Sequence, residues 1–203
     1  MQYNLGMFGN RINSYTYYTQ TPVYNMMFGI KYLIQTDISL EPSSDLFEYK
    51  FTTDNQKANV YENKYFLPIA YCANENLELW NTNEGDPFAI QGEYFELASG
   101  YENVFKEVDY LGTEYSNIIG ETITNNGTYW FSKEVSESSY GYADIRVTPK
   151  KNGNVYLYIK SPDIETIEFS SDKQTSRTQH IDEPYILDIC LLYTSPSPRD
   201  GAT

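Results

Sequence analysis

The chain has 203 residues, with 28 Asp and Glu against 14 Lys and Arg, and a formal net charge of −14. With no basic cluster longer than Lys150 and Lys151, it is repelled by nucleic acid and by anionic lipid. It holds no stretch of ~18 apolar residues, the least a spanning helix needs, and its two cysteines are too few for a disulfide framework or a Cys-based metal site.

The first half alternates short helices with short strands. The segment Asn13, Tyr15, Tyr17, Tyr18, Gln20 places aromatic and amide groups at a density that suits sugar rings. Tyrosine faces pack on C–H surfaces while amides take hydroxyls. The same residues also suit the packing of a domain junction. Pro22 then fits the first turn of a helix carrying Val23, Met26, Met27 and Ile30. Lys31 to Thr36 is a strand-type run, and Leu46 to Phe51 alternates so that Phe47, Tyr49 and Phe51 are expected on a core face. Val60 and Tyr61 precede a polar turn, and Leu67 to Cys72 is apolar enough to predict a buried cysteine. Asp86 is a helix N-cap with Pro87 behind it; Phe88, Gln91, Phe95 and Leu97 form the expected apolar face of a helix ending at Gly100.

Past Gly112 the pattern contains strands only. Thr128 to Val135 is one. Asn152 and Gly153 supply the turn chemistry of a tight hairpin, with Ala143, Ile145 and Val147 sharing a face on one arm and Val155, Leu157 and Ile159 on the other. Ile164 to Phe169 and Pro184 to Ile189 continue the series at sandwich-like spacing. The fold class expected is α+β: a mixed α/β region over residues 1–112, then an antiparallel β-sandwich over 113–189.

Cys190 to Asp200 reads CLLYTSPSPRD, and the whole run is encoded in one frame by the mosaic end and adapter of a transposon-based sequencing library. Residues 190–203 are therefore read as a non-native tail and the sandwich as truncated at Ile189. A truncated sandwich is expected to leave part of the Val155, Leu157, Ile159 face uncovered.

Several segments, in order, resemble the YfhO family of bacterial membrane proteins. Asn13-Ser-Tyr-Thr-Tyr-Tyr with Pro22-Val-Tyr-Asn-Met-Met-Phe-Gly-Ile-Lys-Tyr-Leu-Ile is similar to that family's short helix and "GvKYli" strand. Val60-Tyr-Glu-Asn with Leu67-Pro-Ile-Ala-Tyr resembles its "vYeNpyaLP" segment. Asp86-Pro-Phe-Ala-Ile-Gln with Asn103-Val-Phe resembles its "nPFe.Qn…vf" segment. Asn154-Val-Tyr-Leu-Tyr-Ile and Ile186-Leu-Asp-Ile resemble strands of its closing sandwich. One departure is Gln91-Gly92 where the family has Gln-Asn.

The resemblance implies a polytopic glycosyltransferase of the GT-C type, moving a sugar from a polyprenyl-phosphate carrier to a cell-envelope polymer outside the membrane. Its catalytic carboxylate would lie in a loop preceding Met1. This region is then a non-catalytic part on the extracytoplasmic face, with the polymer or the lipid-linked sugar as partner and flanking helices as anchor. The other reading is a sugar-binding or structural sandwich of a cell-surface protein.

The residues by themselves point to no catalytic centre. There is no Gly-x-Ser-x-Gly elbow, phosphate-binding glycine loop or His-Glu-x-x-His, so no cofactor and no metal is expected. His180, the single histidine, is expected on surface before a strand. A glycosidase needs two carboxylates facing one cleft. Glu93 with Glu96, or Glu62 with Glu75, are the pairs to consider, each more simply a solvated face.

Overall fold

Two proline-led helices organise the first unit. In the computed structural model, which describes residues 1–11, 14–17, 20–36, 41–55, 57–123, 128–133, 140–149, 153–160, 164–170, 175–181 and 185–188, the order begins with β1 (Phe8–Arg11), β2 (Ser14–Thr16), α1 (Pro22–Met27), β3 (Tyr32–Gln35), β4 (Phe47–Thr52) and β5 (Asn59–Asn63). It continues through α2 (Pro87–Ser99), β6 (Asp109–Ser116), β7 (Ile118–Ile123), β8 (Thr128–Lys133) and β9 (Tyr142–Thr148). It closes on β10 (Tyr156–Ile159), β11 (Ile164–Ser170), β12 (Thr175–Ile181) and β13 (Tyr185–Asp188). The fold is α+β: a three-stranded sheet in the order β3-β5-β4, and two-stranded sheets β1-β2, β6-β9, β7-β8, β10-β13 and β11-β12, all antiparallel.

The helix starts follow from their caps. Thr21 Oγ1 accepts from the Tyr24 amide ahead of Pro22. Asp86 accepts from the Phe88 and Ala89 amides at 2.8 and 3.0 Å ahead of Pro87. Each satisfies donors the helix itself leaves open. Gly100, at φ 78°, stops α2 in the left-handed conformation glycine adopts at least cost.

Contacts divide the chain into two compact units: residues 1–104 with the described residues from Asn154 onward, and residues 105–153. Gly112, where the sequence pattern changes, lies inside β6 at a bulge. In the first unit Leu5, Met7, Tyr24 and Ile90 form a core cluster, with Met27, Phe28 and Trp80 packed against it. The second unit holds β6 with β9 and β7 with β8, and Arg146 pairs with Glu114 across the β6-β9 ladder.

Several local expectations are corrected. The Asn152-Gly153 hairpin is not made: β9 pairs with β6 over Tyr142 to Thr148, and β10 pairs with β13. Every residue of β9, including Ala143, Ile145 and Val147, is exposed, so no buried face fixed its register and the longer β6 ladder prevailed over the turn signal. Asn152 itself lies outside the described residues. On α2 the buried residues are Pro87, Ile90, Gln91 and Tyr94, a helical seam that shares only Gln91 with the face expected. Cys72 is exposed and Ile69 fully so, because residues 67–74 run outside any strand. His180 falls within β12 rather than before a strand. Ile159 is buried and packs with Phe8, Leu157, Ile164 and Ile167, so that end of the Val155, Leu157, Ile159 face is covered.

Candidate functional site

Of the aromatic and amide segment singled out from the sequence, Asn13 and Tyr18 lie outside the described residues. Tyr15, on β2, is exposed. Tyr17 is half-buried and donates to Asn25 Oδ1 at 3.0 Å. Gln20 is buried and donates through Nε2 to the Gly6 carbonyl at 3.0 Å. The structure thus draws Tyr17 and Gln20 inward, into a buried polar group that also contains Thr21, Asn25 and Gln91. Thr21 donates to Gln91 Oε1, and Gln91 Nε2 donates to the Leu5 carbonyl at 2.9 Å. Tyr24 donates to Gln2 Oε1 at 2.6 Å, and burial first, then the Tyr17 and Tyr15 hydroxyls, pushes the Tyr24 phenol above its usual range. Groups so desolvated are costly unless paired, and these pairings secure the Met1 to Met7 segment onto both helices.

A second place was missed by the sequence reading. A groove of about 370 Å³ lies on one face of the β4-β5 ladder, lined among others by Glu41, Phe47, Tyr49, Thr52, Asn59 and Tyr61. Tyr49 stands opposite Tyr61, and their rings meet edge to face at 5.8 Å. A hydroxyl and amide chain runs along the floor: Tyr49 with Thr52 at 2.9 Å, Thr52 to Asn59 at 2.8 Å, and Asn59 to the Tyr61 hydroxyl at 3.4 Å. Burial raises the Tyr61 phenol, the Asn59 bond opposes that, and Glu41 and Tyr49 add to it; the hydroxyl is a protonated donor at neutral pH.

The local cause is a β-bulge. Register shifts between Tyr49 and Phe51, so that Phe51 stands opposite Val60 and Thr52 opposite Asn59. Strict alternation would put Phe51 on the Tyr49 face; the extra residue, Lys50, moves Phe51 off it and brings Thr52 in. This corrects the expected core face of Phe47, Tyr49 and Phe51: Phe47 alone is buried, while Tyr49 and Phe51 are 53 % and 55 % exposed. Lys50 bridges Glu48 and Glu62 at 2.8 Å each, and Lys31 reaches Glu62 at 3.5 Å. Aromatics two apart in β4, Phe47 and Tyr49, were a usable signal for the groove, but the bulge was not written in residue types.

The two carboxylate pairs considered from the sequence fall on separate elements. Glu62 is held in ion pairs, with its carboxyl below the usual range because Lys50, and then Lys31, favour its charged form. Glu93 and Glu96 are exposed on α2. Glu84 and Glu93 share an open cleft of about 330 Å³ with Asn81 and Ala89. Among the described residues no cluster of three or more His, Cys, Asp or Glu is placed to hold a metal ion, and no helix is long and apolar enough to cross a membrane. A family model described as bacterial membrane protein YfhO matches residues 1–188. No curated protein and no solved structure matches the chain.

Proposed function

Because the chain belongs to the YfhO family of bacterial membrane proteins, we propose that it is the non-catalytic extracytoplasmic region of a polytopic glycosyltransferase. That enzyme transfers a sugar from a polyprenyl-phosphate carrier to a cell-envelope polymer. The observation that carries this reading is the family match, which runs through every described element. Two features support it. The β4-β5 groove offers hydrogen-bonding and aromatic surface, and the charge of −14 suits an aqueous region rather than one lying on anionic lipid. Attachment to the membrane is through helices flanking this region.

The test compares the chain with its intact gene. Membranes expressing the intact gene should transfer labelled sugar from a polyprenyl-phosphate donor to polymer, and the chain alone should transfer none. Turnover by the chain alone that is lost in Glu93→Gln contradicts the non-catalytic assignment. Membranes expressing the intact gene that transfer nothing from any such donor contradict the transferase assignment.

A further inference from the structure

We propose that the β4-β5 groove is a subsite for an uncharged hexopyranose unit of a glycan. The inference rests on the carbohydrate reading above only for its choice of probes; its geometry stands apart from transfer chemistry.

Pyranose rings present two kinds of surface, axial C–H groups on a face and hydroxyls around the edge. The groove answers both. The Tyr49 ring is half-exposed at its wall and offers a π face for C–H packing, with Tyr61 fixing its tilt edge to face. Beneath it, Thr52, Asn59 and the Tyr61 hydroxyl form a neutral chain of donors and acceptors whose internal bonds hold each group in place. Pre-set groups of this kind lose little freedom on binding. Glu41, exposed on the lining, has two acceptor oxygens for neighbouring sugar hydroxyls.

Charge narrows the ligand. The described lining contains a carboxylate and no ammonium or guanidinium. Lys50 is turned to Glu48 and Glu62, and Lys64 at the rim donates to the Ser44 carbonyl at 2.5 Å. A uronic acid or a phosphate-bearing polymer would meet Glu41 with like charge on an already acidic chain. The volume, near the lower bound of ordinary ligand pockets, suits one or two rings rather than a long segment. The bulge is part of the device, since without it the Phe51 ring would occupy the position from which Thr52 hydrogen-bonds.

The experiment titrates the full chain with maltotetraose, cellotetraose and chitotetraose, and with tetragalacturonate as the acidic counterpart, by calorimetry and saturation-transfer NMR. At least one neutral oligosaccharide should bind with Kd on the order of 1 mM, and tetragalacturonate should not. Tyr49→Ala should weaken binding at least about tenfold, a change of about 1.4 kcal/mol, while Tyr49→Phe retains most of it. Phe51→Ala, on the other face, is the folding control and should leave affinity unchanged. Absence of neutral binding, equal binding of the acidic probe, or indifference to Tyr49→Ala each overturns the assignment. None of these outcomes bears on the transferase assay, so the two readings fail separately.

Discussion

Gln91 is fully buried on α2, an unusual place for an amide, and both ends of its side chain are used: Nε2 on the Leu5 carbonyl and Oε1 under the Thr21 hydroxyl. Replacement by leucine removes both partners at once and leaves a carbonyl and a hydroxyl desolvated. Each orphaned group costs about 1–3 kcal/mol. Gln91→Leu should therefore lower the unfolding free energy by about 2–6 kcal/mol, read as a shift of the urea midpoint at unchanged slope. At this scale the sequence was legible where chemistry is local. The cap Asp86 sits next to its proline and needs nothing distant. Gln91 was placed on the inward face of α2 by its spacing, but its partner Leu5, and the burial of Gln20 against Gly6, were not legible, because an amide carries no mark of which carbonyl will take it.

Among elements, β4 and β5 show how one extra residue redirects a strand. The bulge sends Lys50 to Glu48 and Glu62 on the face opposite the groove. Glu62 has its folded pKa depressed by Lys50 foremost. A depressed carboxyl contributes stability that is present above its unfolded value and is lost as pH falls through its folded value. Thermal midpoints of the wild type and Glu62→Gln should accordingly differ at pH 7 and converge at acid pH, once the wild-type carboxyl is protonated in both states. A difference that persists undiminished at the acid end would assign the effect to packing. Strands β3, β4, β5, β8, β9, β10, β11 and β13 were found in the sequence and β1, β2, β6, β7 and β12 were not; the partner expected for β9 was wrong for a physical reason. Alternation marks a strand from its own residues, whereas β9 is exposed along its length and no buried face selects β6 over a local hairpin.

For the whole molecule, the organising contact joins the first residues of the chain to its last described strand. The Ile186 amide donates to the Gly6 carbonyl at 3.0 Å, and that carbonyl also takes Gln20. Ile186 is 1 % exposed, and a Cβ on Gly6 would lie 2.6 Å from its side chain. This contact places β13, and β10 paired with it, with the N-terminal unit. Ile186→Ala should cost about 2–5 kcal/mol, seen as a lower midpoint of the transition that unfolds α1 and α2 together. Loss of β10 and β13 alone, with the helices unaffected, would deny the contact its organising role. The change of sequence pattern near Gly112 could not reveal this connection, since it links residues 180 apart in the chain and periodicity reports only on neighbours.

The extracytoplasmic placement proposed for this region of a YfhO-family membrane protein is open to direct measurement. Cys72 gives direct access to it, being exposed in the structure. The measurement is labelling of Cys72 by a membrane-impermeant maleimide in protoplasts expressing the intact gene, with Cys72→Ser as the control. On that placement the peptide carrying Cys72 should be labelled in sealed protoplasts to the same extent as after permeabilisation. Labelling of that peptide only after permeabilisation would put the region in the cytoplasm and contradict the extracytoplasmic placement.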